Sequence, residues 1–179
     1  MGYGNTHRQA DYLKMKLIQN YLDQKTFDNI FKIIQEDGYF NWYYTPNVAF
    51  HEDTHGFMFN HTFFNEQGIQ SDYFNQIITP IINPLSMRHL VRAKANLYTK
   101  QEDNVKHQFH IDDSSLDKYK VGLFSLNTND GYTEFEDGTI MKSVANQMCV
   151  FDGSIVHRSV TQTDTKVRLN ININFVEYE

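Results

Sequence analysis

Two short stretches of the chain carry side chains able to bind a metal ion. The first is "HQFHID", residues 107–112, in which His110 and Asp112 stand two apart. On a strand, residues i and i+2 point to the same side, so both can reach one ion. A second imidazole then has to come from a distant strand, and His157 in "FDGSIVHRSV" is placed for that. Two histidines and one carboxylate form the facial ligand set of a non-haem Fe(II) centre, with coordination positions left open. Eleven residues after His157, Arg168 stands in the polar row of the final strand-like run. A guanidinium buried beside a metal needs an anionic partner, and its planar fork suits a carboxylate. A dicarboxylate would satisfy both groups, chelating the ion at one end and meeting Arg168 at the other.

The second stretch is "HEDTHGFMFNH", residues 51–61, where His51, Glu52, His55 and His61 have the spacing of a zinc protease. That chemistry needs His51 and His55 on one helical face. Pro46 before the segment, Gly56 after His55, and Thr54 with the phenylalanines all disfavour a helix. Phe57, Phe59, His61 and Phe63 alternate, which predicts a strand. The pattern also wants glycine where Met58 stands, and no later methionine turn is evident. The spacing is therefore read as strand and loop histidines that share no metal.

The elements that must position the first set divide the chain. "ADYLKMKLIQNYL" places Leu13, Leu17, Ile18 and Tyr21 at helical spacing, and "KTFDNIFKIIQEDGYF" does so with Phe27, Ile30, Phe31 and Ile34. "SDYFNQIITPIINPL" predicts a third helix, with Ser71 as its cap and Pro80 and Pro84 limiting it. From about residue 90, short β-branched runs alternate with turn signals such as Asn129-Asp130-Gly131, Asp137-Gly138 and Asp152-Gly153. The expected class is α+β, mainly β: an antiparallel jelly roll with supporting N-terminal helices. In the last strand, Val167, Leu169, Ile171, Ile173 and Phe175 share one face, and Arg168, Asn170, Asn172 and Asn174 share the other. Period two alone favours a solvated polar face over a polar interior that holds a ligand.

The 179 residues fit one domain, with residues 1–88 as largely helical support and first strands, and residues 90–179 as the β core. A hydrophobic share of 40% and an aromatic share of 15% fit a packed globule. A net charge of −6 argues against a nucleic-acid partner. No apolar run is long enough to span a membrane. One cysteine, Cys149, has no internal disulfide partner, which with the absence of a leader-like segment points to a reducing cytoplasm. Its apolar setting, "QMCVFDG", reads as core and not as a nucleophile.

About residues 90–176 resemble the 2-oxoglutarate- and Fe(II)-dependent dioxygenases, particularly their small prolyl-hydroxylase-like branch. The resemblance rests on "HID" at 110–112, "GYTEFEDG" at 131–138, "NQMCVFDGSIVH" at 146–157 and Arg168 in that order, with "RAKANLY" as the strand before the first ligand. It implies a double-stranded β-helix, cupin-like in form, in which His110, Asp112 and His157 bind Fe(II). It implies that Arg168 takes the distal carboxylate of 2-oxoglutarate and that Tyr98 assists. Asn170 stands where many relatives have a hydroxyl residue, and on Arg168's face it would help hold the cosubstrate. O2 would be the second cosubstrate, with ascorbate in support. The implied reaction hydroxylates an unactivated C–H bond and releases succinate and CO2. The resemblance favours a prolyl or other peptidyl substrate, with a free amino acid or small metabolite as the alternative.

Each residue also has an ordinary structural reading: His110 on the surface, Tyr98 in the core, Arg168 in a plain ion pair. Two rival functions stand beside the hydroxylase. A nucleic-acid dealkylase would carry a second arginine in the last strand, where this chain has Asn174. A non-enzymatic jelly-roll binding module has no need of an open iron site.

Overall fold

A computed structural model describes residues 15–36, 38–49, 56–113, 115–116 and 118–178. Its elements are β1 (Lys16–Ile18), α1 (Gln24–Gln35), β2 (Tyr43–Thr45), β3 (Met58–Asn65) and β4 (Gly68–Ile69). A π-helical turn (Phe74–Ile78) then runs into α2 (Thr79–Ile82). There follow β5 (Met87–Thr99), β6 (Lys120–Ser125), β7 (Asn129–Phe135), β8 (Ile140–Ser143), β9 (Gln147–Asp152), β10 (His157–Val160) and β11 (Val167–Glu177). Among the described residues the strands form two antiparallel sheets. The larger has the order β1-β9-β6-β11-β5-β3-β2, with β4 beside β3; the smaller is β10-β7-β8. This is the expected jelly-roll class.

The alternation in β11 decides how the layers stack. Leu169, Ile171, Ile173 and Phe175 face outward from the sandwich and meet Phe27, Ile30 and Ile34 of α1, with Ile77, Ile78 and Ile81 beside them. Burying such a side chain fully is worth about 1.5–3 kcal/mol, so this face anchors the helix to the sheet. Asp23 caps α1, its carboxylate accepting from Thr26 N–H at 3.0 Å. A second cluster, including Val121, Leu123, Phe135, Met141, Cys149 and Phe151, joins the two sheets. Burial pushes the Cys149 thiol up to about 12, which suits an inert core residue.

The polar row of β11 points between the sheets. Arg168, Asn170, Asn172 and Asn174 are 1–6% exposed, so the solvated-face reading is set aside. Arg92, Lys94, Asn96 and Tyr98 lie opposite them on β5, in register with Asn174, Asn172, Asn170 and Arg168. The sandwich is thus apolar at one end of its interior and polar at the other.

The first predicted helix does not form where it is described. Leu17 and Ile18 lie in β1, paired with Cys149 and Met148 of β9, and Tyr21 packs on Phe124. Asn20 has φ of 49°, a left-handed backbone that ends any helix there. The Asn146 amide then accepts from Leu22 N–H and donates to Leu22 O, fastening the lead-in to α1 against the sheet. Leu13 lies outside the described residues. The second predicted helix is α1. The third is the π turn with α2, and Ser71 Oγ accepts from Tyr73 N–H ahead of it.

Candidate metal centre

His110 and His157 face each other across an isolated antiparallel bridge, each backbone N–H donating to the other's carbonyl at 2.9 Å. The bridge brings residues 47 positions apart in the chain into ring contact, with centroids 4.8 Å apart. His110 Nδ1 lies 3.2 Å from Gln108 O, and His157 Nδ1 lies 3.0 Å from Ile155 O. A carbonyl only accepts, so these bonds place a proton on each Nδ1, the arrangement in which Nε2 is the ligand atom. A metal-binding imidazole needs that tautomer. The two Nε2 atoms lie 3.8 Å and 3.9 Å from Asp112 Oδ1. One ligand atom from each of His110, Asp112 and His157 lies within 4.8 Å of the others.

Asp112 is held from behind. Its Oδ2 accepts from Asn172 Nδ2 at 2.9 Å and from Asn174 Nδ2 at 3.2 Å, while Arg92 Nη2 approaches Oδ1 at 3.5 Å. Burial pushes this carboxyl up, but His157, Arg92 and the Asn172 bond outweigh it and hold the group at about 2. Burial first, and the neighbouring His157 second, pull His110 below the usual histidine value. At neutral pH the carboxylate is ionised and His110 is neutral, the states in which both can bind a cation.

Arg168 enters the same cavity from β11. Its Nε donates to Ser143 Oγ at 2.8 Å and its Nη2 to Thr133 Oγ1 at 3.1 Å, both on the smaller sheet. The guanidinium lies 5.3 Å from the Tyr98 ring centroid. Nη1 is buried with no hydrogen-bond partner, and among the described residues no carboxylate bears on Arg168. The plain ion pair is therefore not what holds it. Tyr98 also lines the cavity and stacks on His107, whose Nδ1 meets Ser159 Oγ at 2.7 Å. Asn170 Oδ1 accepts from Asn96 Nδ2 at 2.9 Å. Asn96 Oδ1 and Asn172 Oδ1 are buried and unpartnered in this cavity, as Arg168 Nη1 is. Buried polar atoms are rarely left so, and these three line one cavity.

All six candidate residues, His110, Asp112, His157, Arg168, Tyr98 and Asn170, thus line one cavity. Sequence reasoning missed the residues that hold them: Arg92, Asn172 and Asn174 around Asp112, and Thr133 and Ser143 around Arg168. Strand alternation was the one available signal, and it does not tell an inward polar face from an outward one.

His51, Glu52 and His55 lie outside the described residues. His61 does not: it sits in β3, the strand that its alternation with the phenylalanines predicts. Its Nδ1 meets Asn41 O and its Nε2 meets Ser71 Oγ, each at 2.7 Å. Both ring nitrogens are engaged, so His61 has no lone pair for a metal. Residues 99–108, "TKQEDNVKHQ", are tied to β10 and to Thr161 just after it, through Val105 N to Thr161 Oγ1, Thr161 N to Val105 O and His107 N to Ser159 O.

Neither a family model nor a curated protein matches this sequence. Solved structures do. An oxidoreductase of the 2OG-Fe(II) oxygenase family from Burkholderia pseudomallei superposes with a TM-score of 0.70 at 12% identity, over 99% of this chain and 95% of that one. The fold is that of the 2OG-Fe(II) oxygenases. A prolyl-4-hydroxylase from Pseudomonas putida shares the oxygenase fold with a TM-score of 0.60 at 14% identity, over 93% of this chain and 94% of that one. So does the epimerase SnoN, solved with Fe3+, alpha ketoglutarate and nogalamycin RO, with a TM-score of 0.63 at 12% identity over 94% and 81%. The oxygenase fold accommodates unlike reactions, so the residues of this site must carry the functional argument.

Proposed function

We propose that residues 1–179 form one Fe(II)- and 2-oxoglutarate-dependent dioxygenase domain that hydroxylates an unactivated C–H bond. One observation carries this reading: the His110, Asp112 and His157 ligand atoms lie within 4.8 Å of one another in a cavity that also holds a buried Arg168 with an unpartnered Nη1. The donor set suits Fe(II), with two imidazoles, one carboxylate and no thiolate. The guanidinium suits the far carboxylate of 2-oxoglutarate.

In this reading His110 Nε2, His157 Nε2 and Asp112 Oδ1 hold the ion. Asn172 and Asn174 occupy Oδ2 and so aim Oδ1 at the histidines. Ser143 and Thr133 fix the Arg168 fork for a carboxylate, and the Tyr98 ring closes one side. Burial raises the Tyr98 pKa, so its phenol keeps its proton and remains a donor. Asn170 and Asn96 offer the cosubstrate further polar contacts. Fe(II), when held by these three residues, would supply the oxidising chemistry with O2 and 2-oxoglutarate, with succinate and CO2 as products beside the hydroxylated substrate. The protein supplies position and a largely buried polar cavity.

Sequence resemblance favours a prolyl or other peptidyl substrate. No helix of the described residues is long and apolar enough to cross a membrane. With Cys149 buried and free, we assign the enzyme to the cytoplasm. The test is succinate formation from 2-oxoglutarate with Fe(II), ascorbate and O2. Turnover by the native chain, lost in His110→Ala and Arg168→Ala, is expected. No turnover above these variants with a panel of peptides and metabolites supports the binding module instead.

A further inference from the structure

Lys94 is a cation in this site that the chemistry above leaves unused. It lies on β5 two residues before Asn96 and four before Tyr98, so strand alternation turns all three to the cavity. It is partly buried, and among the described residues its ammonium has no hydrogen bond or ion pair. The one carboxylate bearing on it, Asp112, is already engaged by Asn172, Asn174 and Arg92. Burial, with Arg92 beside it, pulls the ammonium down to about 8, as expected of a cation short of a counter-ion.

Its position is at a junction. Lys94, Met58 and Val48 line both the cavity of the metal centre and an adjoining open pocket of about 380 Å³. That pocket adds Asn47 and Asn60 as polar groups and Pro46 as apolar wall. It has room for a small molecule or one peptide residue that enters beside the ion. The charges of the centre point the same way. A divalent ion and a dianionic cosubstrate cancel each other. Arg92 is met by Asp112 and Asp113 and by solvent, and Arg168 by the cosubstrate, so Lys94 is the cation left for a third component.

We propose that the primary substrate carries a carboxylate, and that Lys94 binds it at the mouth of the adjoining pocket, holding a neighbouring C–H bond toward the metal centre. This rests on the reading of the site given above and adds the substrate class. The acid is a free or acylated amino acid, or a peptide whose carboxylate reaches the pocket.

The test uses the full chain and matched probes: N-acetyl amino acids with free carboxylates, and their uncharged methylamides. Binding is measured by calorimetry on metal-free protein and on protein loaded with Mn(II) and 2-oxoglutarate. The native chain should bind at least one acid about tenfold more tightly than its amide, the scale of a hydrogen bond to a charged group. Lys94→Met should erase that preference and Lys94→Arg should keep most of it, with 2-oxoglutarate affinity unchanged in both. Bound acid should also protect Lys94 of the native chain from acetic anhydride, read by mass spectrometry without any variant. Equal binding of acids and amides, or no binding by any acid, overturns the proposal. So does a Lys94→Met variant that keeps the preference, or one that loses 2-oxoglutarate instead, since Lys94 then serves the cosubstrate. If the native chain prefers acids but does not bind Mn(II) with 2-oxoglutarate, the metal-centre reading fails and the Lys94 site stands.

Discussion

Gly131 shows how closely the Arg168 end of the site is fitted. A Cβ built there would lie 2.9 Å from Arg168 Cδ, 2.9 Å from Asn129 Oδ1 and 3.0 Å from Val160 O. The last of these is backbone and does not yield easily. Gly131→Ala is expected to cost about 1–3 kcal/mol, the usual price of overpacking, and to weaken 2-oxoglutarate binding by displacing the guanidinium. Urea unfolding and calorimetry read the two effects separately. At the opposite end, Asn172→Ala removes a donor from Asp112 Oδ2 and leaves Asn174 alone on it. Metal affinity should fall by about 10–100-fold, as for other groups that orient a metal ligand, with the fold intact by circular dichroism. The ligand candidates themselves are legible in the sequence, because His-x-Asp, a later His and an Arg beyond it have few other reasons to occur in that order on strands. Asn172 and Lys94 are not, because a polar side chain in an alternating strand looks the same whether its face meets water or a cavity.

Among the elements, α1 carries the packing and none of the candidate site residues. Its buried residues, Phe27, Ile30 and Ile34, fall on one stripe against the apolar face of β11. Ile30 is 1% exposed, so Ile30→Ala leaves a cavity there and should cost about 2–5 kcal/mol in urea unfolding. Metal affinity at saturating fold should not change, because the site lies on the other face of the sheet. A large loss of metal binding in the folded variant would contradict this division of the two faces. The helix is legible because its apolar residues keep helical spacing between the Asp23 cap and Gly38. The segment before it is misleading. Leu17, Ile18 and Tyr21 keep the same spacing, yet Lys16–Ile18 gains more by pairing with the β9 edge, and Asn20 turns left-handed. Three residues of strand leave too short a pattern for spacing to tell strand from helix.

For the whole molecule, the buried ionisable groups set a pH dependence. His61 and His110 are both pulled below the usual histidine value by burial. The unfolded chain therefore binds their protons first, at about pH 6.5, and stability rises with pH through that region. Asp112 adds a second acid step: its stabilising contribution is present above its unfolded value near pH 3.9 and is lost as pH falls toward about 2. The urea midpoint of the metal-free protein should decline as pH drops from 7 to 5 and again below about 4. Added Fe(II) under anaerobic conditions should raise that midpoint more at pH 7.5 than at pH 5.5, since protons compete for the same ligands. A midpoint that is flat from pH 7 to 5 would contradict the assignment of neutral, buried histidines. The central claim is that three side chains from two separate parts of the chain hold one ion. Anaerobic Fe(II) titration of the native chain and of His110→Ala, Asp112→Ala and His157→Ala tests it most directly. One ion per native chain is expected, with binding lost in all three folded variants; any one of them that binds Fe(II) as the native chain does would contradict it.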